Sequence, residues 1–402
     1  MKKLFTNYIN TFSGLSKEVW WLALVTFINR AGTMIIPFLS LYLKEDLEFS
    51  TNNIAWIMSC FGIGSVAGTW IGGKLTDKIG YYKVMVGSLF LTGLLFIGMQ
   101  YLKTFEEFCI GIILIMTVAD TFRPAMFVAM NTYSKPENKT RSVTLIRLAI
   151  NLGFSAGPAV GGFIIATMGY SGLFWVDGVT CIIATIVLFK VLNPKKTVIQ
   201  DDLSVKNSNS VYSNKPFMIL FFSMLVFAVV FFQYFSAMPL YYDEIHFLTK
   251  PEIGLILGAN GFIIFLLEMP TISWLEKKKY NKAYLVMFGA LLTGLSFIVL
   301  NITSWSGILI IGMLFMTIGE MIAFPFANSI AMDLSKGENQ GEYMAMYVMA
   351  FSIASVFGFN AGLQLIDEIG YNGTWYIMTE LAITCVLLLY ILHRFLKQKN
   401  SA

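Results

Sequence analysis

Five ionisable side chains stand inside long apolar stretches of this 402-residue sequence: Arg30, Asp120, Arg123, Glu268 and Glu320. A charged group at membrane depth is costly, so such residues usually mark the path of a substrate, an ion or a proton. The proton affinity of a carboxylate changes when it is desolvated or when a guanidinium comes close. We therefore predict that these five residues couple the movement of protons to that of a substrate.

Glu320 is the sharpest of the five candidates, because it has no basic residue within four positions and its partner is either a proton or a residue of another helix. The other four also have a purely structural explanation. Asp120 and Arg123 are three residues apart, which places them on one face of a helix where they can neutralise each other. Arg30 can pair with Asp120 instead of acting in transport. Glu268 can pair with Lys277 or its neighbours at the membrane surface.

The composition is that of a polytopic helical membrane protein. Only 13% of the residues are charged, 56% are hydrophobic, and the mean hydropathy is +0.69. This excludes a soluble enzyme, and the sequence contains no nucleophile–base set, metal cluster or phosphate-binding loop. A net charge of +4 is too small to predict nucleic-acid binding. The cysteines lie in apolar runs and are expected to be small core residues: Cys60, Cys109, Cys181 and Cys385.

Apolar runs of about twenty residues predict twelve transmembrane helices. These spans cover approximately 19–43, 53–75, 82–102, 108–132, 142–168, 173–192, 216–241, 253–275, 283–302, 307–333, 343–366 and 375–395. Lys and Arg concentrate on the side that holds both termini, and the other side has only Lys44, Lys103 and Lys250. The positive-inside rule then predicts cytoplasmic termini in a cell membrane, expected to be a bacterial inner membrane. Asp177 and Glu380, in the outer parts of their spans, are expected to be contacts within a helix bundle.

An internal duplication divides the spans into two bundles. An offset of 201 residues, the separation of Gly157 from Gly358, also superposes 169–172 on 370–373. The longest polar stretch, 193–215, lies between six spans and six spans and is predicted to be a cytoplasmic linker. The predicted domains are therefore an N-terminal six-helix bundle at 1–192, the linker at 193–215, and a C-terminal six-helix bundle at 216–402.

A short glycine- and charge-rich segment follows the second span, at its predicted cytoplasmic end. Its marked residues are Gly73, Asp77, Lys78, Gly80 and Lys83. The segment resembles the loop between helices 2 and 3 of the major facilitator superfamily, although Tyr82 stands where that family usually has a base. The resemblance implies a tight turn whose charges latch an inner gate. The alternative is an ordinary basic loop on the cytoplasmic side.

The fifth span contains a complete second motif: Gly153, Gly157, Pro158, Gly161 and Gly162. It resembles the G-x-x-x-G-P-x-x-G-G motif of the antiporters of the same superfamily, and the chain is most like the drug:proton antiporter branch. Small residues four apart let helix backbones approach closely, and an internal proline bends a helix. The resemblance implies a kinked, tightly packed face that seals one end of the transport path. Plain helix packing is the alternative.

The resemblance implies an all-α transporter that works by alternating access. It places spans 1, 4, 7 and 10 around a central cavity, which adds Asn29 and Gln233 as substrate-cavity residues. The implied partners are a small-molecule substrate, protons and the lipid bilayer, with a monomeric protein and no cofactor. The predicted function is proton-coupled efflux of small amphipathic compounds or drugs. A proton on Glu320, with Asp120 or Glu268 as a second site, exchanges for substrate, and Arg30 resets the carboxylate.

Proton-coupled uptake of peptides or another small nutrient is the alternative function. Against it, the first span has only Asn29-Arg30 where the peptide transporters carry E-x-x-E-R. A non-transporting membrane receptor is disfavoured because no extramembrane domain is predicted.

Overall fold

The computed structural model of the chain describes residues 14–135, 139–194, 211–278, 280–335 and 340–401. Helices make up nearly all of these residues, and ten helical segments are long and apolar enough to cross a membrane. A helix pairs its backbone N–H and C=O groups within its own segment, as the water-free core of a bilayer requires. The predicted all-α, multi-pass membrane architecture is confirmed.

The helices follow one another with short connections. In chain order they are α1 (Lys17–Ala31), α2 (Ile35–Glu45), α3 (Thr51–Ile79), α4 (Tyr81–Met99), α5 (Phe105–Asp120), α6 (Phe122–Tyr133), α7 (Lys139–Val191), α8 (Lys215–Glu244), α9 (Lys250–Lys277), α10 (Lys282–Ile298), α11 (Ile308–Leu334) and α12 (Gln340–Ser401). Short 3-10 turns lie at Val211–Ser213 and Val299–Asn301.

Two of these helices, α7 and α12, are each broken by a glycine with positive φ. Gly169 has φ 71° and ψ −177°, and Gly370 has φ 73° and ψ 177°. Residues other than glycine rarely adopt this conformation, which turns the chain sharply between two helical parts. The two glycines are separated by the predicted offset of 201 residues and have nearly the same dihedral angles. This part of the predicted duplication is confirmed.

Two predicted spans are interrupted. The first span divides into α1 and α2 around Gly32, and the fourth divides into α5 and α6 at Thr121. The predicted loop at 73–83 is also wrong in its extent. Helix α3 continues to Ile79 and α4 begins at Tyr81, so Gly80, at φ 86°, forms the turn alone.

The chain packs as two compact units. The first contains Met1–Ile36, Gly64–Gln200 and Leu257–Phe262, and the second contains Pro37–Ile63, Asp201–Ile256 and Ile263–Ala402. Each has its own apolar core, represented in the first by Leu22, Met85, Phe122 and Leu188 and in the second by Phe217, Met224, Phe326 and Leu389. All four cysteines are free; Cys181 and Cys385 are buried as expected of core residues, whereas Cys60 and Cys109 are only partly buried. Residues 195–210 of the predicted linker lie outside the described residues, so the division at 193–215 stays a prediction.

Candidate functional site

The glycine motif of α7 packs directly against the segment of α1 that carries Arg30. A Cβ atom added at Gly153 would lie 2.5 Å from the Arg30 Cβ and 3.0 Å from the backbone nitrogen of Ala31. A Cβ atom added at Gly157 would lie 3.3 Å from the Ala31 carbonyl oxygen. Missing side chains therefore let the two backbones touch, which is the physical role that glycines at a spacing of four residues predict.

A second face of the same motif packs against α9. The Ser155 hydroxyl donates a hydrogen bond of 2.8 Å to the Gly258 carbonyl oxygen. A Cβ atom added at Gly261 would lie 2.9 Å from the Ser155 backbone nitrogen. Pro158 lies inside the helix, and Gly161 and Gly162 are buried farther along it. The motif is thus a packing element with close contacts on two faces, both within the first unit.

Arg30 stands in the last turn of α1 and is partly buried. Its guanidinium carbon lies 5.7 Å from the ring centre of Phe154, the neighbour of Gly153, which is within the range of a cation–π contact. The guanidinium also interacts electrostatically with Asp120, which attracts it, and with Arg123, which repels it. Asp120 therefore attracts Arg30 electrostatically, but among the described residues no ion pair within 4.0 Å joins the two.

Asp120 and Arg123 have different surroundings although they are only three residues apart. Helix α5 ends at Asp120 and α6 begins two residues later, and Thr121 between them keeps helical dihedral angles, with φ −64° and ψ −25°. Asp120 is buried and accepts a hydrogen bond from the Ser65 hydroxyl, whereas Arg123 is exposed. Among the described residues, no ion pair within 4.0 Å joins the two. The two residues therefore do not form the predicted ion pair in the described structure, because Asp120 is buried against Ser65 and Arg123 is exposed.

A glycine face of α3, which the sequence interpretation missed, brings Ser65 next to Asp120. Cβ atoms added at Gly68 and Gly72 would lie 2.4 Å from the Thr117 carbonyl oxygen and 2.6 Å from the Thr121 Cα. Gly64 makes a similar approach to α5, at 2.7 Å from the Ile113 carbonyl oxygen. The spacing of four residues was visible in the sequence, but the helix it contacts was not.

Gln233 and Asn29, the two predicted substrate-cavity residues, are buried and contact neighbouring helices. Gln233 is fully buried, and its amide nitrogen donates to the Val229 and Gly358 carbonyl oxygens at 2.8 and 2.7 Å. Asn29 is buried with its amide nitrogen 3.9 Å from the Cys181 sulfur. Both amides thus contact a neighbouring helix, and the assignment of the two residues to a substrate cavity stays a prediction.

Two carboxylates predicted to couple protons are buried in the second unit. Glu320 in α11 is 7% exposed, and Glu268 in α9 is 5% exposed. Glu320 interacts electrostatically with Tyr234 of α8. The Tyr234 hydroxyl is buried and has no hydrogen-bond acceptor or donor among the described residues. Tyr234 was missed, since one tyrosine in an aromatic-rich span carries no sequence signal.

The charged residues of the predicted gating segment are exposed at one end of α3. Asp77 and Lys78 lie in its last turns and Lys83 in the first turn of α4. In the described part of the chain, none of the three forms an ion pair within 4.0 Å. Gly73 has no neighbouring atom within 4 Å of an added Cβ, so packing alone does not explain it.

A charged cluster lies beyond the other end of α3, where α2 ends. We define it by five residues: Lys44, Glu45, Asp243, Glu244 and Lys250. Lys44 pairs with Glu244, and Lys250 pairs with both Glu45 and Asp243. The Tyr371 hydroxyl donates to Glu244 at 3.0 Å. The sequence interpretation placed these charges in outer loops without pairing them, because their sequence separations give no register.

Comparisons with known proteins agree with this fold. The Major Facilitator Superfamily model matches residues 22–358 and 248–402. The Na(+), Li(+), K(+)/H(+) antiporter of Planococcus maritimus is 20% identical over 390 residues, which cover 89% of this chain and 91% of that protein. Multidrug resistance protein 1 of Bacillus subtilis (strain 168) is 23% identical over 363 residues, which cover 88% of this chain and 90% of that protein.

A solved structure shares the same architecture. The crystal structure of a POT family transporter in complex with 5-aminolevulinic acid matches with a TM-score of 0.80 at 15% identity, covering 94% of this chain and 96% of that chain. At this identity the likeness shows the fold alone. The family match extends over most of the chain, and the relatives are transporters and not enzymes. The chain therefore belongs to the Major Facilitator Superfamily, and it is a membrane transporter.

Proposed function

We propose that this transporter exports small amphipathic compounds in exchange for protons by alternating access. The carrying observation is the packing of the Gly153–Gly162 stretch on the segment of α1 that holds Arg30, which in turn interacts with the buried Asp120. The antiporter-type motif thus packs on the segment that carries Arg30, one member of the ionisable pair Arg30 and Asp120. Relatives named as a multidrug resistance protein and a cation/proton antiporter support the same function.

The proposed coupling uses buried carboxylates as proton carriers. Glu320 is the first carrier, with Asp120 or Glu268 as the second. A proton on Asp120 removes the charge that attracts Arg30, and loss of that proton restores the attraction. In this proposal, protonation of Asp120 and binding of substrate act on the site at Arg30 in opposite directions. Exchange transport requires such an opposition.

The proposed arrangement in the membrane is twelve spans with both termini in the cytoplasm, in the inner membrane of a bacterium. The segments Arg141–Val191 and Met346–Lys397 have 51 and 52 residues, enough for two crossings each, and each contains one of the sharply turning glycines. Counting two crossings for each of these segments and one for each other candidate span gives the proposed number. The protein is proposed to act as a monomer with the lipid bilayer as its surroundings.

Transport in proteoliposomes tests this function. Ethidium, an amphipathic cation, and dialanine, a small peptide, serve as probes under proton gradients of both polarities. Export predicts that ethidium moves against the proton flow, whereas dialanine moving with the proton flow would establish the uptake alternative. Glu320→Gln should abolish gradient-driven movement but leave substrate exchange, because the amide mimics only the protonated state. Glu380→Gln, at an exposed position of α12, is the matched control.

A further inference from the structure

The break between α1 and α2 is closed by a single buried carboxylate. Helix α2 begins at Ile35, and the first N–H groups of a helix have no carbonyl acceptor within it. The two Asp177 carboxylate oxygens accept hydrogen bonds from the Met34 and Ile35 N–H groups, each at 2.9 Å. Asp177 is fully buried, so water does not take its place. An unpaired N–H group at this depth would be strongly destabilising.

Two further residues of α7 hold the same break. Thr180 lies against Gly32, where an added Cβ atom would be only 1.9 Å from the Thr180 Oγ1. Cys181 contacts Asn29. Asp177, Thr180 and Cys181 are spaced as residues on one face of a helix. This face of α7 therefore contacts the first span on both sides of its break. Arg30 lies between Asn29 and Gly32, the residues of the first span that Cys181 and Thr180 contact.

The second half of the sequence provides an internal control. At the offset of 201 residues, Asp177 corresponds to Met378, which is fully buried and apolar. Met34 and Ile35 correspond to 235 and 236, which lie inside the unbroken helix α8. The carboxylate and the break therefore occur together in one repeat and are both absent from the other. This joint occurrence is expected if the role of the carboxylate is to accept hydrogen bonds from the N–H groups that the break leaves unpaired.

We propose that Asp177 is a positioning residue for transport. By holding the break in the first span, it fixes the end of α1 and with it the location of Arg30 relative to Asp120. It acts through the backbone and not by contact with substrate or with the guanidinium. The proposal rests on the function proposed above for Arg30.

Asp177→Asn tests the proposal, because the amide keeps one acceptor oxygen and loses the other. Hydrogen exchange of the Met34 and Ile35 amides, followed by mass spectrometry, should become at least tenfold faster. Counterflow of ethidium, measured per folded molecule, should become at least tenfold slower. If the wild type exchanges no ethidium, dialanine is the counterflow probe. Glu380→Gln should change neither quantity.

A double variant separates positioning from general stability. Arg30→Lys should also slow counterflow, and adding Asp177→Asn to it should cost little more, because both changes disturb one arrangement. Asp177→Glu, which displaces the acceptors by one methylene, replaces Asp177→Asn if the latter does not fold. Three results would each overturn the proposal. They are unchanged amide exchange, unchanged counterflow per folded molecule, and a double variant whose fold-loss of counterflow equals the product of the two single-variant losses. Counterflow needs no proton gradient, so an uncoupled protein would refute the proposed function and leave this test intact.

Discussion

Gly153 allows the packing of α7 on α1 to be tested with one methyl group. Carbon atoms in contact normally lie about 3.5–4.0 Å apart. The Cβ atom of Gly153→Ala would lie 2.5 Å from the Arg30 Cβ, so the helices must separate by about 1 Å or distort. Overpacking of this kind costs about 1–3 kcal/mol. The better helix propensity of Ala offsets about 1 kcal/mol, which leaves a net loss of up to about 2 kcal/mol.

Two other glycines provide graded comparisons. At Gly157 the added atom would lie 3.3 Å from the Ala31 carbonyl oxygen, so a shift of a few tenths of an ångström suffices and Gly157→Ala should be nearly neutral. Gly87, inside α4, has no atom within 4 Å of an added Cβ. Gly87→Ala should therefore be neutral or stabilising by up to about 1 kcal/mol.

Melting of the purified variants in detergent measures these differences, and a pH-sensitive dye in proteoliposomes measures proton entry. We expect Gly153→Ala to have the lowest melting temperature of the three variants and the fastest substrate-independent proton entry. Gly157→Leu, with a much larger side chain, should also leak. If Gly153→Ala melts like Gly87→Ala and stays tight to protons, the close contact between α7 and α1 does not carry the seal.

Three further outcomes follow from charged groups near the helix ends. Asp77 is exposed in the conformation described above, so Asp77→Asn should not destabilise it. The substitution should instead favour this conformation over the alternative one by about 1 kcal/mol or less, which distances between attached labels would report. Unchanged distance populations would remove the latch role. Lys250→Gln leaves two carboxylates without their ion-pair partner and should separate labels on α2 and α9, whereas Lys103→Gln, at an exposed loop position, should not. Burial lowers the pKa of His246 below its ordinary value of 6.5. The folded protein therefore favours the neutral imidazole ring of His246. The contribution of His246 to folding stability is present above about pH 6.5 and is lost as the pH falls below it. An NMR titration, assigned with His393→Gln, should show a midpoint below 6.5, and a midpoint at or above that value would contradict the burial argument.

The sequence alone was sufficient for features that depend on composition and local conformation. Long apolar runs predict spans because a bilayer core leaves few alternatives to a helix. Gly169 and Gly370 mark turns because only glycine adopts their positive φ at little cost. The Gly153 and Gly157 spacing predicts close packing because residues four apart share a face. These are properties of a residue and its immediate neighbours along the chain.

Tertiary structure decided which residues meet. Asp120 is buried and accepts a hydrogen bond from Ser65 of α3, whereas Arg123, three residues later, is exposed. The break after α1 needs an acceptor, and the chain supplies it from Asp177, far away in sequence. A hydrogen bond to a freed backbone group depends on the position of another helix in space. Local periodicity carries no information about that position, so sequence reasoning can find a costly buried charge without finding its partner.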